Sequence, residues 1–111
     1  MNNINIGKEP IASLVWRREE KNGGITSVGV YEYVSDEGEV VVKLKTANSD
    51  AGIAAEYAFV NYRFPGYMVT MQSLLKASIN GNHVMCDRLR IQNGEEEKHI
   101  LFDISDFFGR S

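Results

Sequence analysis

The stretch Asn48-Ser49-Asp50-Ala51-Gly52-Ile53-Ala54-Ala55-Glu56-Tyr57-Ala58-Phe59-Val60-Asn61-Tyr62-Arg63-Phe64-Pro65-Gly66 decides the fold. Ile53, Tyr57, Val60 and Phe64 recur at the spacing of one helix face, and four alanines favour helix. Asn48 and Ser49 are both residue types that cap a helix N-terminus. The second half, Tyr57 to Phe64, would also suit a strand because it is rich in aromatic and β-branched residues. Helix is the favoured reading. Pro65-Gly66 ends either element, since the residue before a proline is pushed out of the α region.

On both sides of this stretch the pattern changes to strands separated by glycine turns. The turns are Asn22-Gly23-Gly24, Asp36-Glu37-Gly38, Asn80-Gly81 and Asn93-Gly94, all of the type that closes hairpins. Before the helix, residues 11–19, 25–34 and 40–45 read as strands. Val28 and Val30 share a face with Glu32, and Val40, Val42 and Leu44 alternate with Val41, Lys43 and Lys45. After the helix, residues 67–79, 83–92 and 100–104 read as strands, and Ser105-Asp106 opens a short helical turn stopped by Gly109. The expected fold is α+β: a curved antiparallel sheet of about six strands in βββα-βββα order, with one main helix on a face. The alternative is an all-β barrel in which residues 53–64 form another strand. One domain over residues 1–111 is expected, with residues 1–9 a loose N-terminal arm.

The composition narrows the function classes. A net charge of -3 disfavours nucleic acid as a partner, because nucleic-acid binders carry a basic excess. No apolar run approaches the ~20 residues that span a bilayer, so no membrane partner is expected. A single cysteine, Cys86, excludes an internal disulfide and points to a reducing compartment. The first ten residues lack the apolar core of a secretory signal. A cytoplasmic location is the resulting expectation.

Motifs for chemistry are sparse. The glycines form no dinucleotide fingerprint and no phosphate loop, and no cofactor is expected. His83, Cys86 and Asp87 contain the residue types of a nucleophile with its base. On a strand, however, Cys86 points away from the face shared by His83 and Asp87. The histidines His83 and His99 stand outside any metal-ligand spacing, so no metal site is expected either. An enzyme is therefore the least favoured class.

Two groups of residues are candidates for binding. Glu37, Glu39, Glu95, Glu96 and Glu97 crowd the turns and would make an acidic rim if those turns share one end of the sheet. Such a rim attracts a basic partner and speeds encounter. Tyr57, Phe59, Tyr62, Arg63 and Tyr67 form a dense aromatic group, too many for one face of one element to bury. They suit a ligand pocket or a dimer patch. The leading expectation is a small acidic, non-enzymatic protein that binds another protein, by analogy of size and charge with immunity proteins and inhibitors. The alternative is a small-molecule-binding domain with an aromatic-lined pocket. A homodimer formed through part of residues 53–71 is also expected.

Overall fold

A computed structural model describes residues 3–109 of the chain. Among them the elements run β1 (Asn3–Ile4), β2 (Ala12–Glu19), β3 (Ile25–Val34), β4 (Val40–Lys45), α1 (Ser49–Arg63), β5 (Met68–Ile79), β6 (Asn82–Asn93) and β7 (Glu96–Asp103). The fold is α+β. The stretch 49–63 is helix, and the sheet does not close, so the barrel alternative is set aside. Asn48 is the N-cap: its side chain accepts the Ala51 amide at 3.0 Å. The hairpin turns fall where the glycines placed them. At the sharpest, Asn80 and Gly81 both take positive φ, 50° and 83°.

Three features depart from the sequence reading. First, the sheet has seven strands in the order β1-β5-β6-β7-β4-β3-β2, and it is mixed. Each meander is antiparallel, but α1 carries the chain back before the second meander begins. Its last strand, β7, therefore meets β4 in parallel, with Val40 opposite Ile100. Second, the α closing the second unit is no full helix but the single turn at residues 105–109, in which the Phe108 amide donates to the Ile104 carbonyl at 2.9 Å and Gly109 takes φ 76°. The Asp103 carboxylate organises it by accepting the Ser105 amide at 3.0 Å and the Ser105 hydroxyl at 2.6 Å.

Third, residues 3–6 are no loose arm. β1 pairs with the end of β5, Asn3 opposite Ser78 and Ile4 opposite Ile79, and Ile6 bridges to Ser35. The Asn80 side chain clasps Ile6 by accepting its amide at 2.8 Å and donating to its carbonyl at 3.1 Å. Asn5 carbonyl oxygen accepts the Asp36 amide at 2.9 Å. In a flat sheet the turn at 80–81 and the turn at 36–38 would stand at opposite ends. Three residues of chain join them, so the long β5–β6 hairpin curls over one face of the sheet.

Each sheet face thus has its own core. On one face α1 lays Ala51, Ala55, Phe59 and Val60 on Val28, Val30, Val42, Leu44, Leu89, Ile91, Ile100 and Phe102. Phe107, from the C-terminal turn, slides under the helix beside Gly52, where a Cβ would stand 2.5 Å from the ring. On the other face the curled hairpin and β1 enclose Val41, Ala77, Ile79, Cys86 and Leu101. Val41 therefore belongs to a second core, although its strand pattern reads as one-sided.

Candidate functional site

α1 crosses β3 and β4 and stops short of β2, the last strand of the sheet. Two alanines, Ala55 and Ala58, face the gap. Small side chains there leave an open groove of about 410 Å3 between the helix and the edge strand. Leu14 and Trp16 form its floor with Val30, and Phe59 and Tyr62 form its wall. Val15 and Arg17 border it along the free edge of β2, while their side chains alternate to the opposite face. Tyr62 stands at the mouth and is 73 % exposed. Among the described residues β2 is hydrogen-bonded to β3 alone, so the outer side of an eight-residue strand presents N–H and C=O groups without a strand partner. Exposed Ile11, Val15 and Ile25 add apolar surface around it.

The aromatic group singled out in the sequence is dispersed. Phe59 is buried in the core and touches Phe102 edge-to-face at 5.8 Å and Phe64 at 6.4 Å; Phe64 in turn meets Tyr67 at 5.9 Å. Tyr57 lies on the opposite flank of α1, its hydroxyl 3.0 Å from Gln72 of β5. Arg63 pairs with the buried Glu32 at 3.3 Å and pins the helix end to β3. Of the five residues, Phe59 and Tyr62 reach the groove.

The acidic residues share one end of the sheet, but Glu39 is half-buried there, with one carboxylate oxygen enclosed and without a hydrogen-bond donor among the described residues. Because β4 and β7 are parallel, the turns that precede them lie at one end of the sheet, with Glu37 and Glu39 on one and Glu95, Glu96 and Glu97 on the other. The C-terminal end of α1 lies there too, with Arg63 and Phe64 lining a shallow recess beside Glu37 and Lys98. The rim is of mixed charge. Lys98 lies 3.3 Å from Glu96, and Arg90 and His99 lie 3.7 and 3.1 Å from Glu97. The Tyr67 hydroxyl donates to Glu96, which lowers the carboxyl pKa and raises that of the phenol. Glu37 and Glu95 remain exposed.

The residues weighed for catalysis are separated. Cys86 is fully buried in the second core, and burial first, then the nearby Asp103 and Asp87, pushes its thiol up to about 12. Among the described residues no three His, Cys, Asp or Glu side chains are close enough to share a metal ion. One acidic contact was not foreseen from the sequence. Glu56, on the buried face of α1, meets Asp87 of β6, and among the described residues no N–H or O–H donor reaches either of its oxygens. Two carboxyls hydrogen-bond only if one holds a proton. Burial, then Asp87, raises the Glu56 pKa to about 9, so the proton stays on Glu56 at neutral pH.

The groove itself escaped sequence reasoning. Leu14 and Trp16 read as ordinary core alternation, and Ala55 and Ala58 as helix formers. That β2 ends up at an edge, with the helix set away from it, depends on the order of strands in the sheet. Neither a family model, nor a curated protein, nor a solved structure matches the chain.

Proposed function

We propose that this chain is a non-enzymatic binding protein whose partner is another protein, taken at the free edge of β2 and in the groove beside it. The supporting observation is that an unpaired strand edge and an apolar groove lie side by side. An extended segment added to β2 would gain main-chain hydrogen bonds along the edge, and every second side chain would enter the groove between Trp16 and Tyr62. The acidic turns stand at the Tyr62 end of the helix. A partner segment with apolar alternation flanked by Lys or Arg matches both features. Such a reading is immunity- or inhibitor-like in kind.

A second reading keeps the groove for a small molecule. Its volume lies within the ~300–1,000 Å3 of ligand pockets, and Trp16, Phe59 and Tyr62 are suitable linings. The groove is open along its length, however, and the Tyr62 hydroxyl is the one polar side-chain group turned to it among the residues that line it, too little convergent polarity to orient a small ligand.

Selection from a displayed library of random peptides tests the first reading. Enriched peptides should alternate apolar residues, should slow hydrogen exchange of the β2 amides, and should bind at least tenfold more weakly to Trp16→Ala and Tyr62→Ala. Peptides whose binding leaves β2 exchange unchanged would refute it. A small molecule retained on the purified protein in native mass spectrometry, and displaced by Tyr62→Trp, would establish the second reading instead.

A further inference from the structure

The sheet has a second free edge, and it differs in chemistry from the first. β5 runs from Met68 to Ile79, and β1 covers only Ser78 and Ile79 of it. Among the described residues the edge from Met68 to Ala77 has no partner strand. From Met68 to Leu75 it carries no charge, no proline and no glycine. Natural edge strands are normally guarded by such residues, because an unguarded edge is a template for another strand. β2 is guarded in that way by Arg17, Arg18 and Glu19. Met68, Met71 and Leu74 are 73, 50 and 55 % exposed; Leu74 shares its sheet face with α1, whose flank exposes 44 % of Ile53 and 39 % of Tyr57, while the register turns Met68 and Met71 to the opposite face. The hydrogen bond from Tyr57 to Gln72 holds this flank over the strand.

We propose that the open edge of β5, roofed by Ile53 and Tyr57 of α1, is the interface of a symmetric homodimer in which two β5 strands pair antiparallel. Three observations single out a second copy as the occupant. The first is apolar surface. Ile53, Tyr57 and Leu74 on the α1 face and Met71 on the other are 39–55 % exposed, so a strand added to this edge covers apolar side chains on both faces as well as the edge backbone. The second is charge. Two copies of net charge -3 repel wherever charged surfaces meet, and this strip is the uncharged one.

The third is register. A bulge between Val69 and Met71 breaks the strand at one end, and β1 blocks it at the other. The segment free to pair is Met71 to Ala77, whose midpoint is Leu74. A two-fold axis at Leu74 sets Lys76, the one charge in the segment, opposite Gln72 of the second copy rather than opposite another lysine. It also sets the two Leu74 side chains against each other beneath the two helices. The contact is isologous and closes at two copies. It leaves β2 and its groove free.

The test is sedimentation velocity of the full chain between 5 and 100 μM. The expected species has twice the 12.5 kDa monomer mass. Leu74→Lys, at a side chain already half exposed, should give a monomer with unchanged circular dichroism and a melting temperature that no longer rises with protein concentration. Leu74→Cys should form an intermolecular disulfide under air, while the buried Cys86 stays unreacted. A wild-type monomer at 100 μM would overturn the proposal. So would assemblies larger than two, or a dimer that survives Leu74→Lys and is dissociated by Val15→Lys on β2.

Discussion

Replacing Glu56 by Gln should stabilise the protein at neutral pH and remove most of its alkaline sensitivity. Glu56 is fully buried between α1 and the sheet, and its folded pKa is raised from 4.5 to about 9 by burial and by Asp87. Between those two values the folded chain holds a proton that the unfolded chain has lost. Stability therefore falls as pH rises, by about 1.4 kcal/mol per unit. From pH 5 to pH 8 that is a loss of about 4 kcal/mol, a large share of the ~5–15 kcal/mol that holds a domain together. The stabilising contribution is complete below about 4.5 and gone above about 9. Glutamine has nearly the same shape, donates to Asp87 without taking up a proton, and has no such slope. Urea unfolding followed by the fluorescence of Trp16, the single tryptophan, at pH 5, 6.5 and 8 measures both chains. Glu20 and Glu96, whose pKa values are lowered, titrate below this window and do not disturb it. Asp87→Asn should reduce the slope without abolishing it, because burial is the larger cause. A wild-type stability that changes by less than about 1 kcal/mol over the window, or a slope that persists in Glu56→Gln, would refute the buried-proton account.

Gly52→Ala, which in an exposed helix gains about 1 kcal/mol, should here destabilise by about 1–2 kcal/mol. The new Cβ meets three atoms of the buried Phe107 ring at 2.5–2.8 Å; thermal melting decides the sign. Asn80→Gly keeps the positive φ of the turn but removes the clasp on Ile6, and should cost about 1–2 kcal/mol. Hydrogen exchange should show the Ile6 amide opening before the rest of the sheet. Glu95, Glu96 and Glu97 replaced together by Gln should leave stability within about 0.5 kcal/mol, since their ion pairs are exposed. The same change should slow association with a basic peptide selected at the β2 groove, and the difference should vanish in high salt, where charges are screened.

The local elements were legible because each has its own signal. Asn48, the alanines and Pro65 bound a helix, and glycine turns bound the hairpins. The order of the strands was not legible, because a parallel pair leaves no turn between its members. β4 and β7 are separated by 50 residues of sequence, and nothing in Val40–Lys45 names its partner. The arm at residues 3–6 was misread for a related reason. Its two isoleucines are flanked by asparagines, a polar composition. Its order comes from Asn80, 74 positions away from Ile6. Of the candidate sites, the acidic residues carried the condition that their turns share one end of the sheet; the parallel β4–β7 pair meets it, but Glu39 is half-buried. The aromatic group was found as residues but not as a site, since adjacent positions on a helix point in different directions. Nothing in the sequence around Glu56 marks it as buried; its place on the inner face of α1 does.

The two free edges follow from the way the second meander joins the first. β7 pairs with β4 at the centre, so β2 and β5, the first strand of each meander, lie towards the two sides of the sheet, with β1 beyond β5 at Ser78 and Ile79. The helix cannot cover both. Set over β3 and β4, it leaves a groove towards β2 and turns Ile53 and Tyr57 towards β5. On β2 the edge is charged and a groove lies beside it. That arrangement tolerates water when empty and can admit a foreign segment. On β5 the edge is uncharged and flanked by exposed methionines and leucine, an arrangement that favours permanent cover. A mutation that exchanged these characters would separate the two roles. Lysine at Leu74 should free β5 without touching binding at β2, whereas lysine at Val15 should impair binding at β2 and leave the oligomer intact. If both substitutions impaired both properties, the two edges would be one functional surface, and the division of labour drawn from the sheet order would fail.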